Sequence, residues 1–268
     1  MSRRFARGAG IALLCLTFLL PMGIMFSGAL QAPGRPPPDG FDLIPEAAHW
    51  ENFSTITTLI DLWGQMRNSL IVVVVAVPAT VLIASWAGFT IVTGSRRIRV
   101  ALIGVSIVAL MVPTTALWVP RFILFEWAGL IDSLWVLMVP ALMATSPFYV
   151  LIFALAYSRI PKQLFDAARV EGSSPLRTWA TIAWPLARPA AFAVAMLAFV
   201  FHWSNFIDAL LYLRSESTYT LPLGLRALQT FEVTLHPLML AGAAIATIPS
   251  LLAFLVGQRA LFARTLEV

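Results

Sequence analysis

IPKQLFDAARVEGSSPLRTWATIAWP, residues 160–185, is the stretch whose reading decides the fold. It is the longest charged interruption in a chain that is otherwise mostly apolar. Pro161 opens a helix in its first turn, where a missing N–H costs nothing. Leu164, Phe165, Ala168 and Gly172 then recur at helical spacing, with Arg169 and Glu171 towards the other side. Gly172 is placed to take a positive φ as a C-terminal cap. Ser174 reads as the N-cap of a second helix, with Pro175 at its first position. That helix carries Leu176, Trp179, Ile182 and Ala183, and Pro185 ends it or bends it. The stretch specifies helix, glycine turn, helix. Ala167, Ala168 and Gly172 leave a surface with little side-chain bulk. Two readings stand: a partner approaches that surface closely, anchored by Leu164 and Phe165, or the alanines pack against the chain's own apolar segments.

Working outward, the chain is 59% hydrophobic and only 12% charged, against about one quarter charged in a soluble domain. Composition places it in the membrane class. Its 268 residues allow six spans of about 20 residues each with short connections, and no segment is long enough for an added soluble domain. The net charge is +5, and Lys162 is the one lysine among the 18 basic residues. These charges lie at the ends of apolar runs, so the excess reads as topology and not as nucleic-acid binding. Cys15 stands alone in an apolar run, which excludes an internal disulfide and a cysteine metal cluster.

Residues 1–9 form a basic N-terminus, and residues 10–268 read as one membrane domain. Spans are expected at 10–30, 68–92, 100–125, 134–157, 189–211 and 237–257. Cleavage of the first as a signal peptide, at Ala29, is the rival reading, but its apolar run exceeds the usual signal length. The loop 31–66 begins with the helix-breaking run Pro36-Pro37-Pro38-Asp39-Gly40. It continues into a short helix expected to lie at the membrane surface, with His49 solvated. Pro113 and Pro120 predict kinks or a break in the third span. Arg121 and Glu126 are expected to snorkel to the interface. A polar segment, 212–236, is expected between the last two spans.

Charge sets the orientation. With both termini in the cytoplasm, only Arg35, Arg67, Arg121, Arg214 and Arg226 of the 18 basic residues fall outside the inner segments. That bias favours six spans with loops 93–99 and 158–188 in the cytoplasm and loop 31–66 outside. In the fifth span His202, Asn205 and Asp208 are spaced by three, which puts them on one side of a helix. One reading is that they line a translocation path and offer hydrogen bonds to a polyol. The other is that they make interhelical hydrogen bonds. Trp203 and Phe206 read as packing residues.

The spacing Asp166-Ala167-Ala168, Gly172, Ile182, Trp184-Pro185 resembles the E-A-A-three-G-nine-I-x-L-P signature of ABC importer permease subunits. Asp stands for Glu at 166 and Trp for Leu at 184. Further motifs resemble the carbohydrate-uptake branch, of the maltose (MalG) and glycerol-3-phosphate (UgpE) type. They are Arg67-Asn68-Ser69-Leu70, Gly129-Leu130-Ile131-Asp132-Ser133 and Thr220-Leu221-Pro222-Leu223-Gly224-Leu225. Trp203-Ser204-Asn205-Phe206 is a looser match, and the tail Thr265-Leu266-Glu267-Val268 lacks the family's usual ending.

The resemblance implies an all-α membrane protein of the MetI-like permease type in a bacterial inner membrane. It implies as partners a second, different permease subunit, two ATP-binding subunits and an extracytoplasmic solute-binding protein. ATP and Mg would sit on the partner ATPase, with no cofactor on this chain. Leu164, Phe165, Asp166, Ala167, Ala168, Gly172, Ile182 and Pro185 would form the ATPase-coupling loop. The substrate would be a sugar or sugar-like solute, including glycerophospho- or amino-sugar compounds. An ion-coupled secondary transporter is the competing class. It would show internal repeats and mid-membrane carboxylates, whereas Asp208 is the one acidic residue well inside an expected span. The chain has no phosphate-binding G-x-x-x-x-G-K-[ST] loop, so ATP chemistry belongs elsewhere.

Overall fold

The structure, a computed structural model, describes residues 2–34, 44–142, 146–231 and 235–262. The proline-rich turn of 36–40 and the tail of 263–268 lie outside those residues. Among the described residues the regular structure is helical, with no strand. Among the described residues, three stretches are long and apolar enough to cross a membrane: Leu62–Thr93, Trp135–Ser158 (apart from 143–145, which lie outside the described residues) and His236–Gln258. Two bent pairs raise the number to five if each pair is one span. The helix α1, Ser2–Ala29, adds a shorter apolar stretch, Leu13–Ala29. Its side chains Leu13, Leu14 and Phe18 are exposed, as expected where the surroundings are lipid.

The first bent pair falls where Pro113 predicts a kink or a break in the third span. Helix α4, Arg96–Met111, and the segment Thr114–Trp127 meet at 92°. The cause is local. Val112 precedes a proline and is extended (φ −76°, ψ 118°), which ends the helix. A 3-10 turn, Thr114–Leu117, follows and leads into α5, Trp118–Trp127. Pro120 lies in the first turn of α5, where it breaks nothing.

The chain divides into two compact units. The first comprises residues 1–66 and 220–249. Here α2, Asn52–Leu59, is anchored through one face, with Ile56 fully buried and Asn52 nearly so, while Ser54, Thr55, Thr58 and Leu59 are exposed. Asn52 Nδ2 donates to the carbonyls of Ala29 and Gln31, both at 2.8 Å, tying α2 to the end of α1. His49 is not merely solvated, since its Nδ1 lies 2.6 Å from Glu51 Oε1. That bond holds the Glu51 carboxyl below its ordinary range. The stretch expected as a polar connection instead contains a helix, Leu221–Phe231. Pro222 falls in its first turn, and Leu221, Leu223 and Leu228 are buried.

The second unit comprises residues 67–219 and 250–268. Its core gathers Val81, Ala84 and Phe89 of α3 (Leu62–Thr93) with Tyr149, Phe153 and Tyr157 of α7 (Pro147–Ser158). Ala191, Val194 and Ala198 of the helix Arg188–Trp203 complete it. Alanines dominate on that third helix, and Gly88 lets α3 approach α7 closely. A Cβ there would stand 2.7 Å from Phe153 Cβ and 2.8 Å from Ala154 N. Small residues let backbones meet where lipid offers apolar side chains no reason to leave it.

Candidate functional site

The loop of the opening folds as helix, turn, helix. The first helix, Lys162–Val170, follows Pro161, which sits one residue outside it (φ −55°, ψ 129°). Gly172 has φ +72°. Ser173 N donates to Ala168 O and Gly172 N to Arg169 O, the paired bonds of a glycine-terminated helix. Ser174 Oγ accepts from Arg177 N, and Pro175 opens the helix Pro175–Thr178. The next five residues, Trp179–Ala183, form a π turn, and Trp184 N donates to Trp179 O. Pro185 therefore neither ends nor bends the chain, because the widened turn relieves the clash of its ring with the preceding carbonyls. The 82° bend into Arg188–Trp203 comes after Leu186, at Ala187 (φ −94°, ψ 10°).

The residues picked from the sequence divide into two faces. Phe165 and Ala168 are buried against the chain's own helices, and Ile182 packs half-buried on the same core. The Phe165 ring meets Phe89 edge-on at 6.0 Å between centroids. Leu164, Asp166, Ala167 and Gly172 are exposed, and so are two apolar side chains the motif does not contain, Val170 (89%) and Leu176 (61%). The outward surface is thus narrower at the motif and wider beyond it. Arg169 Nη2 donates to Thr93 O at 2.9 Å, while Arg99 donates to Ile91 O and Val92 O. These guanidiniums satisfy the last carbonyls of α3 and oppose its negative end. Asp166 lies 3.8 Å from Arg169 with both side chains exposed, a pair that contributes little.

His202, Asn205 and Asp208 do not share one helix. The helix Arg188–Trp203 stops at Ser204, whose Oγ donates to Val200 O at 2.7 Å, and a new helix runs Ile207–Tyr212. Asn205 makes the break: its Oδ1 accepts from Asp208 N at 3.2 Å and its Nδ2 donates to Asp208 Oδ2 at 3.0 Å. Such local bonding lets asparagine compete with a helix backbone. The three residues nevertheless line one cavity of about 510 Å³, with Arg121, Thr80 and Tyr149. Arg121 contributes a charged side chain to the lining of this cavity. The buried His202 Nδ1 has no hydrogen-bond partner among the described residues. Trp203 is buried and stacks on Phe199 at 5.7 Å.

Sequence reading missed a second polar junction. Asp132 takes a positive φ of 62°. Its Oδ1 accepts from Arg214 N and Ser215 N, each at 2.9 Å, and from Thr218 Oγ1 at 2.7 Å; Ser215 Oγ donates to Oδ2. These donors, the Ser215 hydroxyl first, hold the carboxyl well below its usual range. Buried Asn68 donates to Ser217 O at 2.9 Å and Tyr219 O at 3.0 Å. Two of the motifs quoted above thus meet on the segment 213–219.

With this geometry in hand, comparison with known proteins is specific. A family model described as "Binding-protein-dependent transport system inner membrane component" matches residues 69–267. The lactose transport system permease protein LacG of Rhizobium radiobacter is 29% identical over 79% of this chain and 77% of its own. The arabinooligosaccharides transport system permease protein AraQ of Halalkalibacterium halodurans is 30% identical over 82% and 80%. A chain from the crystal structure of a bacterial ABC transporter involved in alginate import superposes with a TM-score of 0.76 at 18% identity, covering 95% of both chains.

Proposed function

Because the chain belongs to the family of binding-protein-dependent transport system inner membrane components, we propose that it is one of two different membrane subunits of an ATP-driven importer for a sugar or sugar-like solute. Its similarity to lactose and arabinooligosaccharide transport permeases supports the substrate class. In this reading the chain crosses the membrane six times with both termini in the cytoplasm. It rests on two ATP-binding subunits, and an extracytoplasmic binding protein delivers the solute. Closure of the ATPase pair displaces the loop of 160–186, and the spans switch between inward and outward access. Work is transferred because the ATPase contacts the loop differently in its open and closed states. The cavity at His202, Asn205 and Asp208 lies on the solute's path and offers hydrogen bonds to its hydroxyls.

The observation that carries the proposal is the loop's outer face. Leu164, Ala167, Val170 and Leu176 are exposed while Phe165 and Ala168 hold the loop to its own core. Ala167→Arg tests it. The side chain points away from the fold, so membrane abundance should stay at wild-type level. A charge buried in the docking cleft should lower recovery of the ATPase with the purified membrane subunits by about tenfold or more. Full recovery together with full uptake would remove the docking assignment.

A further inference from the structure

We propose that Ser85, Tyr157 and Trp179 form a buried latch that fixes the register of the coupling loop on two spans, so that displacing the loop carries α3 and α7 with it. They are positioning residues of the transport cycle. The inference rests on the importer reading above.

Trp179 stands at the first position of the π turn in the loop. Its indole Nε1 donates to Ser85 Oγ at 2.9 Å. Ser85 belongs to α3 and is completely buried. The Ser85 Oγ and Tyr157 Oη atoms lie 2.6 Å apart. Tyr157, also completely buried, is the penultimate residue of α7. Three polar groups from three elements therefore satisfy one another inside an apolar core. None belongs to the signature that identified the loop.

The chemistry distinguishes this contact from the packing around it. Trp86 meets the Trp179 ring edge-on at 5.6 Å, and Phe89 meets Phe165 and Tyr157 at 6.0 and 6.1 Å. These contacts resist separation, but apolar contact is non-directional and tolerates sliding. An indole N–H can only donate, and its acceptor must be within hydrogen-bonding distance and nearly in line. Sliding the loop along α3 would strand that part-buried donor and leave the buried Ser85–Tyr157 pair mismatched. Moving the loop together with α3 and α7 strands nothing. The latch is thus silent while the three elements move as one body and opposes any motion of the loop alone. The other exit from the loop, into Arg188–Trp203, passes through the 82° bend at Ala187.

The test uses the assembled transporter reconstituted with its ATPase and binding protein. Solute uptake and ATP hydrolysis are measured side by side for wild type, Ser85→Ala, Ser85→Thr and Tyr157→Phe. Ser85→Ala removes the shared atom with little change in volume. It should leave ATP hydrolysis near wild type and reduce solute moved per ATP by about fivefold or more. Ser85→Thr keeps the hydroxyl and should restore most of the ratio. A merely structural role would lower assembly, hydrolysis and uptake together and leave the ratio unchanged, which overturns the latch. An unchanged ratio at full abundance overturns it equally. Amide exchange of residues 162–186 in the same assembly gives a second readout. Ser85→Ala should speed exchange in the loop by about fivefold, and no acceleration overturns the latch. If the wild-type assembly moves no solute, the importer reading fails, and the exchange arm still decides whether the latch fixes the loop.

Discussion

The loop at 160–186 and the junction at 129–133 with 213–219 are both irregular connections in the same unit, and they are held by opposite means. The loop is fastened mainly by rings, Phe165 on Phe89 and Trp179 on Trp86, with polar contacts from Trp179 to Ser85 and from exposed Arg169 to Thr93 O. The junction is fastened by one exposed carboxylate and one buried amide, Asp132 and Asn68, which hold backbone N–H groups and carbonyls of 213–219. Ring packing leaves the loop's other face bare and able to meet a partner. Hydrogen bonding occupies the polar groups of the junction and fixes its path instead. Under the proposed function, the connection that is pushed is glued from beneath, and the one that stays still is tied along its backbone.

The sharpest way to break that contrast is to remove the glue. Phe165→Ala deletes a nearly buried ring that fills the space between the loop and Phe89. The expected loss is about 3–5 kcal/mol of stability, as for other buried aromatic truncations. It should appear as a large fall in the melting temperature of the purified subunit in detergent. Leu164→Ala, one residue away and 43% exposed, should melt close to wild type. Equal losses at the two positions would mean that the loop is not held through one face.

The contrast also explains what the sequence revealed. Pro161, Gly172, Ser174 and Pro175 act on neighbours within four residues, so their spacing alone specifies the two helices and the turn. The split between buried Phe165 and exposed Leu164 depends on which neighbour lies beneath, and helical periodicity does not carry that. The partners of Asp132 and Asn68 lie 82 to 151 residues away in the chain. Nothing local announces them. The motifs around them marked the positions through resemblance without giving a role. The break at Ser204 was hidden for a related reason: asparagine three residues before aspartate reads as one helical face until Asn205 is seen bonding Asp208. The bend after Met111, by contrast, was legible as proline chemistry, although its 92° was not.

Next in size comes the junction. Asp132→Ala removes the acceptor of four hydrogen bonds and places alanine at a φ of 62°. Exposure weakens each bond, so roughly 2 kcal/mol is expected from bonding and backbone together. Asp132→Asn keeps one oxygen and a side chain that tolerates the left-handed region, and should cost about half as much. The pH dependence has a definite sign. The folded carboxyl is depressed below its ordinary value of 3.8, so its contribution is complete above that value. It is lost only as pH falls well below that value. Proteolysis at 213–219 should therefore be as slow at pH 5 as at pH 7 in wild type, and faster at both in the variants. A wild-type junction that opens between pH 7 and pH 5 would show that Asp132 is not what ties it.

Gly172 gives the smallest expected effect on stability and the finest comparison. Its φ of +72° is one that residues with a side chain adopt at a cost, while a Cβ there would meet no atom within 4 Å. The penalty for Gly172→Ala is therefore backbone strain alone, about 1 kcal/mol, and Gly172→Asn should recover part of it. If the proposed partner needs only the turn, both variants should bind a co-expressed ATPase in proportion to their stability, asparagine better than alanine. If the partner's backbone closes directly over the glycine, asparagine is the bulkier obstacle and the order reverses. The two rankings are opposite, so one co-purification of both variants decides whether Gly172 serves the loop's own shape or the surface offered to its partner.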